Sequence, residues 1–151
     1  MITVKLIDRE AIVHLVEGLE DFEKDKAIKS GLRSGLNVIQ RKGRSNLRTR
    51  LLETGKGSLI GSFATKIKKS KLGGLSGFRR SNKYVKLEKA GNHAHLVDGG
   101  TKMRHNRKGQ KRGIMPANRF WKDAISTEET KALDKVYEGV ERAVQRINNR
   151  Q

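Results

Sequence analysis

Residues 28–52 read IKSGLRSGLNVIQRKGRSNLRTRLL, and this stretch decides the fold. Its apolar residues recur three or four positions apart, which is the spacing of one helical face, and the stripe extends upstream through Phe22 and Leu19 to Leu15. An unbroken helix over this stretch would be about 37 Å long at 1.5 Å per residue. Each of its glycines weakens the helix by up to about 1 kcal/mol relative to alanine, so packing against another element must stabilise it. We therefore predict a long, packed helix that stops near Gly55.

A second amphipathic helix is predicted near the carboxyl end of the chain. Its apolar residues share one helical face: Leu133, Val136, Tyr137, Val140, Ala143, Val144 and Ile147. Two starting points fit the sequence. Ser126 and Glu129 have the spacing of a capping box, whereas Pro116 suits the first turn of a helix that runs through Phe120 and Ala124. We expect either a short helix followed by a longer one or a single continuous helix.

The middle of the chain has the patterns of strands and turns. Residues 63–68, FATKIK, alternate in polarity, and residues 84–87 lie among lysines, so two strands with one solvent-facing side are predicted. Residues 2–7, ITVKLI, fit a third strand. Residues 71–82, KLGGLSGFRRSN, are rich in glycine and serine, which favours a mobile hairpin arm.

The order of these elements predicts an α+β fold. A long N-terminal helix and a C-terminal helix would pack on a small antiparallel sheet, with extended basic loops. The 151 residues suit one ordinary domain, so we predict a single domain over 1–151, with the arm at about 71–82 and a basic loop at about 102–113. No segment approaches the roughly 18 apolar residues that span a bilayer, and no secretory signal opens the chain, so no membrane partner is expected.

The net charge of +18 is concentrated in the centre of the chain. Residues 1–40 hold six Lys/Arg and seven Asp/Glu, residues 41–112 hold 21 and three, and residues 113–151 hold seven and six. The segments therefore carry −1, +18 and +1. Such a field favours a polyanionic partner or an acidic protein surface.

The residues that could carry chemistry do not form an active-site pattern. GKGS at 55–58 lacks the glycine that a phosphate-binding loop needs five residues earlier, where Arg50 stands. His93 and His95 have strand spacing for a metal, but no second ligand cluster follows and the surroundings are cationic. Carboxylates are sparse in the centre, cysteine is absent, and no serine lies in a nucleophile-elbow context. We predict no enzyme activity, no metal and no cofactor.

The basic loop at 102–113 carries six cations and no acid. It cannot bury enough apolar surface to offset its ordering entropy, so we expect it to be mobile. Further cations lie nearby in sequence. The residues predicted to contact a partner or DNA are Lys66, Lys68, Lys69, Arg79, Arg80, Lys102, Arg104, Arg107, Lys108, Lys111 and Arg112. Only Phe78 and Tyr84 lie among them, so contact would be with the phosphate backbone and not with stacked bases.

Three segments together resemble a known family. LLETGKGSLIGSF at 51–63, HAHLVDGGT at 93–101 and GIMPANRFWKDAI at 113–125 are similar, in this order, to small tail-completion proteins of long-tailed bacteriophages of the lambdoid type. The residues that carry the closest part of the resemblance are His95, Leu96, Val97, Asp98, Gly100, Thr101, Pro116, Ala117, Phe120 and Ala124. The chain departs from the family pattern at Gly99, where an aromatic residue is common, and at Arg119, where a second proline is frequent.

The resemblance implies a virion structural protein of the head–tail junction or tail, assembled in the cytoplasm of the bacterial host. Its subunits would form a homo-oligomeric ring of six around the DNA channel and dock on connector, tail-terminator or other neck proteins. We expect the turn at 95–101 to pack against the helix start at Phe120 and Trp121, with the arm and the loop projecting towards an acidic neighbour or the DNA. The charge alone supports an alternative, a small basic nucleic-acid-binding protein that contacts the phosphate backbone.

Overall fold

The computed structural model of the protein describes residues 9–50, 58–69, 72–82 and 90–150. Within these ranges the elements follow one another as α1 Arg9–Val16, α2 Asp21–Arg50, α3 Ser58–Gly61, β1 Phe63–Ile67, β2 Gly74–Phe78, α4 Ala94–Gly99, β3 Arg104–His105, β4 Lys111–Gly113 and α5 Phe120–Asn148. No helix in these ranges combines the length and the apolar character that a membrane crossing requires.

The predicted α+β class is confirmed. The long helices α2 and α5 pack against a small antiparallel sheet of two strands, β1 and β2. A second two-stranded sheet is formed by β3 and β4. The strands predicted at 2–7 and 84–87 and the helix end predicted near Gly55 lie outside the described residues.

The two long helices follow the apolar periodicity, but the predicted start of α5 is wrong. Residues 28–50 lie in α2, as predicted, and α5 is one continuous helix. It begins at Phe120, so neither Pro116 nor Ser126 begins it. Ser126 lies inside α5, where its hydroxyl donates to the Asp123 carbonyl at 3.1 Å. Local capping signals failed here because the cap comes from another part of the chain, as described below.

The segment 71–82, predicted as a mobile hairpin arm, contains a strand at its centre, because Gly74–Phe78 form β2, which pairs with β1. Gly74 and Ser76 are buried, and the turn between the strands is closed by a hydrogen bond from Lys68 N to Gly73 O at 2.9 Å. A Cβ atom at Gly74 would collide with Leu36 of α2, so the absence of a side chain allows the strand to lie against the helix. Glycine and serine therefore allow this strand to pack closely.

The described residues form two compact units. The first, here called the glycine-packed unit, comprises residues 9–41, 64–69, 72–77 and 127–150. The second, here called the aromatic unit, comprises residues 42–50, 58–63, 78–82 and 90–126. Because α2, α5, β1 and β2 contribute residues to both units, the boundary falls inside elements and not at a linker. The single domain over 1–151 stays a prediction.

In the glycine-packed unit, α2 and α5 meet through glycines. A Cβ atom at Gly31 would lie 2.5 Å from the Val136 carbonyl oxygen, and one at Gly139 would lie 2.8 Å from the Gly31 Cα. The backbones therefore approach more closely than side chains would allow. The apolar core around this contact consists of Ile12, Val16, Leu19, Ala27, Ile28, Leu32, Val136 and Val140. Phe22, which the helical periodicity placed on the buried stripe, is 72% exposed, so that prediction is wrong.

In the aromatic unit, rings form the core. Phe63 and Phe78 meet edge to face with ring centroids 4.7 Å apart, and Phe78 lies 5.3 Å from Trp121 and 5.8 Å from Phe120 in the same manner. The Trp121 ring also packs over Gly43 of α2, where a Cβ atom would lie 2.5 Å from it. This cluster fixes the first turn of α5, which is where the candidate site lies.

Candidate functional site

The start of α5 is capped by a carboxylate from α4. Asp98 Oδ1 accepts a hydrogen bond from the Trp121 N–H at 2.7 Å and a longer one from the Lys122 N–H at 3.4 Å. The first N–H groups of a helix have no partner within the helix, and a negative charge there also interacts favourably with the helix dipole. The predicted turn at 95–101 is helical over its first five residues, and Asp98 of this helix stabilises the helix start on the other side of the basic segment. The predicted packing of these two segments is present.

Main-chain hydrogen bonds reinforce this junction. The Asn118 N–H donates to the Val97 carbonyl at 3.0 Å, and the Arg119 N–H donates to the Asp98 carbonyl at 2.9 Å. Arg119 has a φ of 57°, a left-handed conformation that is uncommon for residues other than glycine. A proline at position 119 could neither adopt this angle nor make this bond. The helix start therefore depends on a residue other than proline at position 119.

Thr101 and Met115 close the base of the basic segment. The Thr101 N–H donates to the Met115 carbonyl at 2.9 Å, and the Met115 N–H donates to the Thr101 hydroxyl oxygen at 3.0 Å. Next to this pair, Gly100 has a φ of 73°, and a Cβ atom there would lie 2.8 Å from the Ala117 nitrogen. Both the angle and the space require glycine at this position. The base is thus fixed by residues of the resembling motif.

The carboxyl end of α2 also holds the start of α5, through residues that the sequence interpretation missed. The Asn46 side-chain amide donates to the Phe120 carbonyl at 3.0 Å. Arg50 donates to the Asn118 carbonyl at 2.6 Å and forms an ion pair with Asp123 at 2.7 Å. No local pattern links positions that are about 70 residues apart, so only a tertiary structure could identify these contacts.

Residues 102–113, predicted to be a mobile loop, contain a β-hairpin, here called the basic hairpin. Strand β3 pairs antiparallel with β4. The Asn106 side chain organises the turn between the strands, because its Oδ1 accepts from the Lys108 N–H at 3.0 Å and from the Gln110 N–H at 2.9 Å. Asparagine commonly stabilises turns by bonding to the backbone two residues ahead. Strand pairing and this side chain thus provide hydrogen-bond partners for part of the backbone of the segment.

The basic hairpin carries six cations in an exposed position. None of the six forms an ion pair with any of the residues that the structure describes. They are Lys102, Arg104, Arg107, Lys108, Lys111 and Arg112. Their charges are therefore available to an anionic partner.

The structure places the other five predicted cations elsewhere. Arg79 and Arg80 follow β2 in the aromatic unit, and the Arg79 guanidinium donates to the Gly61 carbonyl at 3.2 Å. Lys66, Lys68 and Lys69 lie on β1 and just after it, in the glycine-packed unit, and all three are exposed. The six cations of the basic hairpin are thus the group that the structure brings together on one element.

The motif residues differ in burial. Phe120 and Ala124 are completely buried, Leu96 and Val97 are half-buried, and the exposed members are His95, Pro116 and Ala117. The buried residues pack in the interior at the start of α5, whereas the exposed residues lie on the surface. Among the described residues, no three His, Asp or Glu side chains converge to hold a metal ion.

No protein-family model, no curated protein and no solved structure matches the chain. What the fold and the site define is a small α+β protein with a capped helix start and an exposed basic hairpin next to it in the chain.

Proposed function

We propose that this protein is a structural subunit of the bacteriophage neck or tail, which forms a homo-oligomeric ring around the DNA channel and contacts connector or tail-terminator proteins. The observation that carries the proposal is the junction of residues 95–101 with the start of α5. These are the segments that resemble tail-completion proteins, and Asp98 joins them directly through the Trp121 N–H. The resemblance therefore falls on residues that act together in space.

The basic hairpin supports the same proposal. A monomer gains no internal ion pair from its six exposed cations within the described residues. In a closed ring, every subunit presents the same surface to its neighbour or to the lumen. A stiff cationic hairpin at that position would attract an acidic neighbouring subunit or the phosphates of the DNA in the channel.

Neutralising the tip of the hairpin tests this function. The triple variant K108Q/K111Q/R112Q is expected to fold normally but to impair the joining of heads to tails. The variant is expressed in host cells that are infected with phage from which the gene has been deleted. The measurements are the yield of infectious particles and the number of separated heads and tails seen by electron microscopy. A matched control, R41Q/R48Q/K122Q, removes the same charge from exposed positions outside the hairpin.

Three outcomes would contradict the proposal, and the first two are direct. One is a normal particle yield with K108Q/K111Q/R112Q, and the other is the absence of the chain from purified virions when it carries a label for localisation. A loss of yield that is equal in the control variant would also count against it, because net charge and not the hairpin would then be responsible.

The exposed cations also favour a second candidate, a free protein that binds the nucleic-acid backbone. If all six hairpin cations met phosphates, log K would fall with log salt at a slope of about −5, and the triple variant would reduce that slope by about 3. Fluorescence anisotropy with short duplexes measures both. Sub-micromolar, salt-sensitive binding by the isolated chain, combined with its absence from particles, would favour this candidate over the first.

A further inference from the structure

A groove in the glycine-packed unit has an apolar floor and cationic walls. It has a volume of about 610 Å³ and is lined by the first turns of α2 and the last turns of α5. The α2 residues on it, Phe22, Lys26, Lys29 and Arg33, recur at the spacing of one helical face. From α5 and the residues just after it come Ala143, Arg146, Ile147 and Arg150, with the same spacing. The groove therefore runs along about three turns of α2 and about the last two turns of α5.

The floor offers apolar surface that the core leaves uncovered. Ala143 and Ile147 pack against the core but are only half-buried. Phe22 stands beside them with 72% of its surface exposed. A large exposed aromatic next to aliphatic residues is unusual on a monomer surface and is typical of interaction sites.

The walls carry charge that the described residues do not neutralise. Lys29 pairs with Asp25 at 3.1 Å, and among the residues that the structure describes Asp25 is the only carboxylate on the groove. The Lys26 ammonium lies 5.8 Å from the centre of the Phe22 ring. Four cations on the groove form no ion pair with any described residue: Lys26, Arg33, Arg146 and Arg150. A ligand surface complementary to the groove is thus apolar in the middle and acidic at both edges.

We infer that this groove binds an acidic amphipathic helix of a partner protein. Aliphatic side chains at helical spacing on such a helix would contact Ile147, Ala143 and Phe22, and flanking carboxylates would pair with the four cations. A nucleic-acid strand fits less well, because continuous base stacking needs successive aromatic platforms and Phe22 is the only aromatic residue among the described residues of the groove. The inference does not rest on the function proposed above, because the groove and the basic hairpin belong to different units.

The test uses the full chain and a labelled probe peptide of about four helical turns, with leucines on one face and glutamates on both flanks. Fluorescence anisotropy should detect saturable binding. A second peptide of identical composition, with the leucines distributed around the helix, should bind at least about tenfold more weakly, because only an apolar stripe can fill the floor. Equal binding of the two peptides would overturn the inference, since attraction between opposite charges would then explain both.

Two variants assign the binding to the groove. R146E/R150E should weaken binding of the amphipathic peptide at least about tenfold, because it replaces attraction with repulsion. F22A should weaken it about fivefold or more without unfolding the protein, because the ring is exposed. The control R107E/K108E makes the same change of charge on the basic hairpin and should leave the affinity within about twofold. Equal losses in R146E/R150E and the control, or no loss in F22A, would contradict the inference.

Three further measurements exclude other occupants. A labelled oligothymidylate that binds more tightly than the peptide and is released by R146E/R150E would assign the groove to nucleic acid. Self-association of the unmodified chain in sedimentation velocity that disappears with R146E/R150E would assign it to a second copy. Peptide binding only after removal of residues 1–8 would assign it to that segment of the chain. Each of these results would overturn the inference.

Discussion

The two compact units differ in what packs against α2. In the glycine-packed unit, α2 and α5 lie close together because Gly31, Gly35 and Gly139 carry no side chains. In the aromatic unit, the space beside α2 is filled by four rings, with Gly43 leaving room for Trp121. The first contact is between backbones and the second is between large side chains.

This difference predicts opposite sensitivities to mutation. An interface between backbones is damaged by added volume, whereas an aromatic core is damaged by removed volume. The groove beside Phe22 lies along α2 and α5 in the glycine-packed unit, whereas the capped start of α5 lies in the aromatic unit.

The largest expected effect is the loss of a ring from the aromatic unit. F120A should lower the free energy of unfolding by about 3–5 kcal/mol, because the ring is completely buried and contacts both Phe63 and Phe78. Chemical denaturation followed by circular dichroism measures the change. F22A is the matched control, with an expected change within about 0.5 kcal/mol because that ring is exposed. Similar losses of stability in F120A and F22A would contradict the difference between the buried and the exposed ring.

The next largest effect is the addition of a methyl group in the glycine-packed unit. A Cβ atom at Gly35 would lie 2.5 Å from the Ala132 carbonyl oxygen, which cannot rotate away. Alanine gains about 1 kcal/mol of helix propensity over glycine, but overpacking typically costs about 1–3 kcal/mol or more. We expect G35A to be destabilising by about 2 kcal/mol net, as measured by denaturant unfolding.

The control for this prediction is G99A in α4. No atom lies within 4 Å of a Cβ placed at Gly99, so the substitution should be neutral or slightly stabilising. Stabilisation by G35A equal to that by G99A would mean that α2 and α5 are not in backbone contact.

A smaller effect is expected from the cap that joins α4 to α5. D98A should lower the free energy of unfolding by about 1 kcal/mol, because the Trp121 N–H loses its acceptor. D98N keeps an oxygen acceptor and should recover most of that loss. Amide hydrogen exchange at Trp121, compared between the two variants by NMR, should be faster in D98A. Equal exchange rates would show that the carboxamide oxygen does not replace the carboxylate.

The smallest effect lies on the exposed face of α5 in the glycine-packed unit. The Lys135 ammonium donates a hydrogen bond to Glu138, which holds the pKa of that carboxyl below its ordinary value. Because the pKa is lowered in the folded state, the associated stabilisation is present above the unfolded pKa and is lost as the pH falls through the folded one. K135Q should therefore raise the pKa of Glu138 in an NMR titration. K131Q, which removes a neighbouring lysine from the same helix, should leave that pKa unchanged.

Much of the fold could be predicted from the sequence because helical periodicity is a local signal. The repeat of apolar residues in α2 and α5 is set by contacts that each helix makes along one face, so Leu32, Leu36, Val136 and Val140 are buried as predicted. The second strand was missed because Gly74 and Ser76 do not resemble a β-branched strand. Their small size is required by Leu36 across the interface, and that requirement is not visible within the strand.

The candidate site could be predicted only in part, for a similar reason. The segments that resemble tail-completion proteins led to the prediction that 95–101 packs against the helix start at Phe120. The charge pattern identified the basic segment. The helix start, however, depends on Arg119 adopting a left-handed conformation and on Arg50 reaching Asn118 from a distant helix. The groove was missed because Phe22 keeps the periodicity of the buried stripe, and only the packed helices reveal that 72% of its surface is exposed.

The two hydrogen bonds between Thr101 and Met115 hold the base of the basic hairpin together, so its stability does not depend on the length of the hairpin. Doubling the length of a flexible connection costs only about 0.6 kcal/mol of closure entropy, so residues between these two can be added or exchanged while the start of α5 stays capped. The turn at Lys108 and Gly109 is therefore a suitable place to insert an epitope or a fluorescent tag. For the same reason, related chains could change their binding partner through substitutions in about a dozen residues of the hairpin while the capped start of α5 stays the same.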